Sequence, residues 1–149
     1  MPFFSLNKAN SITEEQLAYH LRKKTFSGVV AQTATTEFYK EKYVCDEEVS
    51  YADAVFLNSN GRLEKADINN KPADFLALEI GQVGSLIAVS RVGVISVNFN
   101  FPENSVIFLG TNGTLTDTPN INSSNIIFQK IGKYANGLLI FSIDSPYFL

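Results

Sequence analysis

Two segments of this chain repeat each other at a fixed distance, and that repetition constrains the fold more than any other feature. Ala54-Val55-Phe56-Leu57-Asn58-Ser59-Asn60-Gly61-Arg62-Leu63 aligns with Val106-Ile107-Phe108-Leu109-Gly110-Thr111-Asn112-Gly113-Thr114-Leu115, 52 positions further on. The same offset, without a gap, sets Ser85-Leu86-Ile87-Ala88-Val89-Ser90 on Gly137-Leu138-Leu139-Ile140-Phe141-Ser142. One register kept this far points to two copies of one β unit, about residues 51–90 and 103–142. Two copies are too few for a solenoid, so they should close a common core. In each, a strand ending in Phe-Leu runs into Asn-Gly and returns through Leu63 or Leu115. Asn-Gly tolerates the positive φ angles of a type I′ turn, so each unit should open with a hairpin.

Further strands are expected at Lys42–Cys45, near Phe75–Ile80, at Leu86–Ser90, near Ile126–Ile131 and at Leu138–Ile143, separated by Asn, Gly, Ser and Asp clusters. Arg91–Phe101 alternates apolar and polar residues over its second half, as a half-buried strand would. The tail Ile143–Leu149 is apolar and should pack against something. One segment reads as helix: Ser11-Ile12-Thr13-Glu14-Glu15-Gln16 supplies a hydroxyl cap and first-turn carboxylates, and Arg22-Lys23-Lys24 supplies cations at the far end. A helix of about three turns is marginal alone and must dock on something. The expected architecture is therefore mainly β, a sandwich or barrel of two strand–Asn-Gly–strand units with one short N-terminal α-helix. Residues 1–28 form an attachment or oligomerisation segment, and residues 29–149 form the β domain.

Composition narrows the chemistry. The net charge of −3 offers no electrostatic footprint for nucleic acid or an anionic membrane surface. No stretch approaches the roughly 20 apolar residues of a membrane helix. Cys45 is the single cysteine, so no internal disulfide forms, and a reducing cytoplasm suits the chain. His20 is the single histidine and reads as a helix-surface residue, while Cys45 reads as a small strand residue. Zinc fails on ligand count. Asp46-Glu47-Glu48, with Asp53 nearby, lacks the alternating spacing and the Gly of a calcium loop and reads as a solvated turn. Gly81-Gln82-Val83-Gly84 lacks the Lys-Ser/Thr of a phosphate loop. Neither a cofactor nor an enzyme activity is expected.

The punctuation of the repeat resembles that of the small decoration and head-fibre proteins of tailed bacteriophages. The residues carrying the likeness in the second half are Ile107-Phe108-Leu109, Gly113-Thr114-Leu115-Thr116, Pro119, Ile131-Gly132 and Leu138-Leu139-Ile140. The first half follows a related pattern through Val55-Phe56-Leu57, Asn60-Gly61-Arg62-Leu63, Ala66, Gly84, Leu86–Val89 and Gly93-Val94. The likeness spans about residues 50–143 and departs from the pattern at Phe75-Leu76-Ala77-Leu78 and Glu103-Asn104. It implies a structural protein of the virion, assembled in the host bacterial cytoplasm, that binds the major capsid protein on the capsid exterior, often as a homotrimer. A tail-fibre or baseplate module recognising a host surface glycan is the alternative. Phe3, Phe4 and Leu6, with Leu17 and Leu21 on one helix face, are the expected attachment or interface residues.

Overall fold

The computed structural model describes residues 39–124 and 126–149. The expected N-terminal helix, His20 and the interface residues Phe3, Phe4, Leu6, Leu17 and Leu21 lie outside the described residues. What is described is mainly β. Strands β1 (Glu41–Cys45), β2 (Ala54–Leu57), β3 (Arg62–Lys65), β4 (Phe75–Ala77) and β5 (Leu86–Ser90) form a closed barrel in the order β1-β3-β2-β4-β5. Closure comes from β1, which pairs antiparallel with β5 from Glu41↔Val89 to Val44↔Leu86 and parallel with β3 at Val44↔Arg62 and Cys45↔Leu63. Alternate residues point inward, and Cys45, Val55, Leu63, Phe75, Ala77, Ile87 and Val89 fill the interior. Most are small or β-branched, as a barrel this narrow requires. Phe75 also meets the Tyr43 ring at 5.4 Å and the Arg91 guanidinium carbon at 4.9 Å.

Strands β6 (Val92–Ser96), β7 (Val106–Leu109), β8 (Leu115–Thr116), β10 (Lys130–Ala135) and β11 (Leu138–Ser142) form an open antiparallel sheet in the order β6-β11-β10-β7-β8. It packs on the outside of the barrel. There Ala54, Leu76 and Ala88 alternate with the inward residues and meet Ile95, Ile107, Leu109, Ile131, Leu139 and Phe141 of the sheet. Ala52, Ala54, Ala66, Ala73 and Ala88 on the barrel side, beside Leu76 and Leu78, leave room for the large residues of the sheet. Backbone bonds join them as well: Ala54 N–H donates to the Gly113 carbonyl at 2.9 Å, and Gly113 N–H donates to the Ala66 carbonyl at 2.6 Å. The Tyr51 hydroxyl, from the barrel half, donates to the Ser96 carbonyl of β6 at 2.9 Å.

Three expectations need adjustment. The alternating stretch Arg91–Phe101 is strand only to Ser96. Phe99 and Phe101 leave the sheet and pack edge-on, 5.3 Å apart, with Tyr134 5.8 Å from Phe101. Pro102 has no N–H for a ladder and restricts the residue before it. The stretch Ile126–Ile131 divides at Gln129 into β9 (Ile127–Phe128) and the start of β10. Gln129 is buried, with its amide donating to the Ala73 and Asp144 carbonyls and accepting from Ala73 N–H. The apolar tail forms β12 (Tyr147–Phe148) and pairs with β9 at Tyr147↔Phe128 and Phe148↔Ile127.

The third adjustment concerns the turns. Asn112 and Gly113 both have positive φ, 52° and 81°, as a type I′ turn needs, and Thr114 N–H bonds the Thr111 carbonyl. In the first hairpin only Gly61 is positive, and Gly61 N–H bonds the Asn58 carbonyl, which places the turn one residue earlier. The cause is Asn58, whose side-chain oxygen accepts from both Asn60 N–H and Arg62 N–H at 3.0 Å. Gly110 stands at the matching place of the second hairpin and has no side chain with which to impose that turn.

Candidate interaction surfaces

Because side chains alternate along a strand, the sheet that buries Ile107, Leu139 and Phe141 must turn their neighbours to solvent. Val94, Ile140, Lys133 and Val106 are register partners in a row across β6, β11, β10 and β7. Such partners stand about 5 Å apart. Ile140 is 48% exposed and Val106 41%. Lys130 lies opposite Phe108 in the next row, beyond an irregularity at Lys130/Gly132. The Phe108 ring meets Phe128 at 5.1 Å, and Phe128 meets Tyr147 at 6.5 Å. Tyr147 and the adjacent Phe148 are largely exposed. The result is an apolar, partly aromatic face that carries two lysines.

A second apolar surface lies on the loop between β4 and β5 and on the first residue of β5. Ile80, Val83 and Leu86 are 70%, 68% and 58% exposed, within seven residues of chain. The backbone beneath them is tied at successive points. Val49 and Gly81 exchange N–H···O bonds at 2.8 and 2.9 Å, Gly84 N–H donates to the Cys45 carbonyl, Cys45 N–H to the Ser85 carbonyl and Ser85 N–H to the Gln82 carbonyl. Gly81 is pressed against the barrel wall, since a Cβ there would run into Ile87 Cγ2 and reach Cys45 Sγ at 3.0 Å. The loop therefore holds its three aliphatic side chains in water on a fixed backbone. That exposure costs solvation free energy in the isolated chain.

Charges of both signs border this loop, since Lys42 lies opposite Ala88 on the barrel face that Leu86 shares. Glu79 precedes Ile80 and accepts Ala88 N–H through Oε1 at 2.9 Å, while Asp46 and Glu48 flank the chain that bonds residues 81–85. Within the acidic run, Asp46 Oδ2 accepts from Asn58 Nδ2 at 3.0 Å and Glu47 Oε2 accepts from Lys65 N–H at 2.7 Å. These are the jobs of turn residues. Nearby, Lys71 Nζ bonds Glu64 Oε1 at 2.6 Å. That bond, helped by one from Asn58, holds the Glu64 carboxyl below its ordinary range and lifts the Lys71 ammonium above its own. Burial raises the Asp53 carboxyl, and a bond from Ser50 N–H opposes it.

Cys45 is fully buried in the barrel wall, and burial pushes its thiol up, away from a reactive thiolate. Among the described residues no group of three or more His, Cys, Asp or Glu side chains converges to hold a metal ion. No helix among them is long and apolar enough to cross a membrane. Sequence reading passed over Ile80, Val83 and Leu86. Their signal was three aliphatics at three-residue spacing around Gly81 and Gly84, a spacing that fits no strand. No family model, curated protein or solved structure matches this chain.

Proposed function

We propose that this chain is a structural protein of a tailed-bacteriophage particle, which binds the capsid exterior and stabilises it or presents a surface. The observation that carries the reading is the pair of exposed apolar surfaces held on rigid backbone, the sheet face around Ile140 and Val106 and the loop bearing Ile80, Val83 and Leu86. A chain that keeps such surfaces in water is built to be covered by protein. The repeat supports the same reading. β2 and β7 begin at Ala54 and Val106, and β5 and β11 at Leu86 and Leu138, so both pairs keep the 52-residue offset. We read the barrel as a closed copy, and the sheet as an opened copy, of one β unit with the punctuation of decoration and head-fibre proteins.

In this reading residues 1–28 attach to the major capsid protein, through Phe3, Phe4, Leu6, Leu17 and Leu21, while the β domain self-associates as a homotrimer. Deleting residues 2–24 should abolish co-sedimentation with capsids and leave the far-ultraviolet dichroism of the β domain in place. Undiminished decoration by the truncated protein would refute the assignment.

The exposed rings of Tyr147 and Phe148 favour a second reading, a receptor-binding module on which host sugar rings stack. Selective binding on a glycan array, lost in Tyr147→Ala, would favour it over decoration. A pure decoration protein should bind no glycan selectively.

A further inference from the structure

The sequence has three Asn-Gly steps, at Asn60-Gly61, Asn112-Gly113 and Asn136-Gly137. The last is the whole connection between β10 and β11, where Ala135 faces Leu138 across the hairpin. Asn136 and Gly137 have φ of 53° and 74°, close to the 52° and 81° of Asn112 and Gly113, so the two turns are alike in these angles. Their surroundings differ at one atom. The Gly113 N–H donates to the Ala66 carbonyl at 2.6 Å, and Gly113 is buried. The Gly61 N–H donates to the Asn58 carbonyl at 2.9 Å. The Gly137 N–H meets no acceptor among the described residues, and Asn136 beside it is exposed.

We propose that Asn136-Gly137 is a self-modification site, at which Asn136 deamidates through a cyclic imide while the turns at Asn60 and Asn112 protect those residues. The deprotonated Gly137 nitrogen attacks Asn136 Cγ. A bond forms between them, the Cγ–Nδ2 bond breaks, and Nδ2 leaves as ammonia with the proton that the Gly137 nitrogen gave up. Water then opens the imide. Hydrolysis at Cγ yields aspartate, and hydrolysis at the main-chain carbonyl yields isoaspartate, in which the chain runs through the former side chain. Glycine suits the step because no Cβ shields its nitrogen. An N–H already given to a carbonyl must break that bond before it can be deprotonated, so local opening of the fold limits the reaction there. At Gly137 no such opening is required. The products alter the hairpin, since isoaspartate adds a main-chain carbon to a connection made only of Asn136 and Gly137. Both products also set a carboxylate on the residue whose N–H donates to Glu103 Oε1 and Oε2 at 3.1 and 2.9 Å. The inference does not rest on the virion reading.

The test incubates the full chain in warm, mildly alkaline buffer and maps it by trypsin digestion and mass spectrometry, with fragment spectra placing each change. Cleavage after lysine and arginine puts the three steps on separate peptides, residues 43–62, 92–130 and 134–149. Peptide 134–149 should be the first to gain the mass of an amide-to-acid change, and it should split into aspartate and isoaspartate forms. Asn112 should react at least about tenfold more slowly, since a buried hydrogen bond must break first. Asn60 should lag as well. In guanidinium chloride that unfolds the chain, the rates at the three steps should converge to within a few-fold. Asn136→Gln should silence peptide 134–149 and leave the slow rates at Asn60 and Asn112 as they were. Equal rates in the folded protein, an Asn136 that stays intact, or a preference that persists after unfolding would each overturn the proposal.

Discussion

Tyr51 shows how one side chain ties the two halves together and makes the tie depend on pH. Its hydroxyl donates to the Ser96 carbonyl, and burial pushes its ionisation from 10 up to about 12, although the Ser96 side chain opposes the shift. The unfolded chain ionises this phenol near 10 while the folded chain does not. The stability it contributes is therefore complete below that pH and is lost as pH rises towards 12. Tyr51→Phe should cost about 1 kcal/mol at neutral pH by leaving the Ser96 carbonyl without this donor. The gap between wild type and variant in urea denaturation should then narrow across the alkaline window. A gap that stays constant there would mean that the phenol is not shielded. Gln129 makes a complementary point. A lone Gln in an apolar run looks like an interruption, and only the packed structure reveals that Ala73 and Asp144 need its amide.

The two hairpins put matched glycines in unequal surroundings. Gly61 and Gly113 both have positive φ, at 75° and 81°, and both resist a side chain for that reason. A Cβ on Gly61 meets nothing within 4 Å, whereas one on Gly113 meets Lys65 Cβ and Cγ at 3.2 Å and the Ala54 carbonyl oxygen at 3.4 Å. Gly61→Ala should cost about 1 kcal/mol, and Gly113→Ala about 1 kcal/mol more, because the second turn is wedged against the barrel. Chemical denaturation of the two variants would check this, and equal losses would contradict the wedge. The mainly β character was legible because short apolar runs such as Phe-Leu are local. The turn geometry was not, since it depends on whether Asn58 or Gly110 begins the turn and on what the turn rests against. The β4–β5 loop was missed for a related reason. Ile80, Val83 and Leu86 look like core residues until the bonds at Val49 and Cys45 turn them outward.

At the scale of the molecule, a β-rich sequence with a repeat announced a common core, but not which half would close. Closure is decided by the parallel contact of β1 with β3 and the antiparallel contact of β1 with β5, which join residues far apart in the chain. No local pattern encodes such pairings. The division of the core between the halves also has a bearing on how the protein is made. Synthesis delivers the barrel strands first, and until the sheet follows, the surface that will receive it stands in water. That surface carries Leu76 and Leu78 among the methyl groups of Ala52, Ala54, Ala66, Ala73 and Ala88, with Tyr51, Phe56 and Ile68 packed beside them, while Ile107, Leu139 and Phe141 arrive later. The half-made chain on the ribosome thus exposes an apolar surface, and the side chains that cover it emerge when that resting place is already formed.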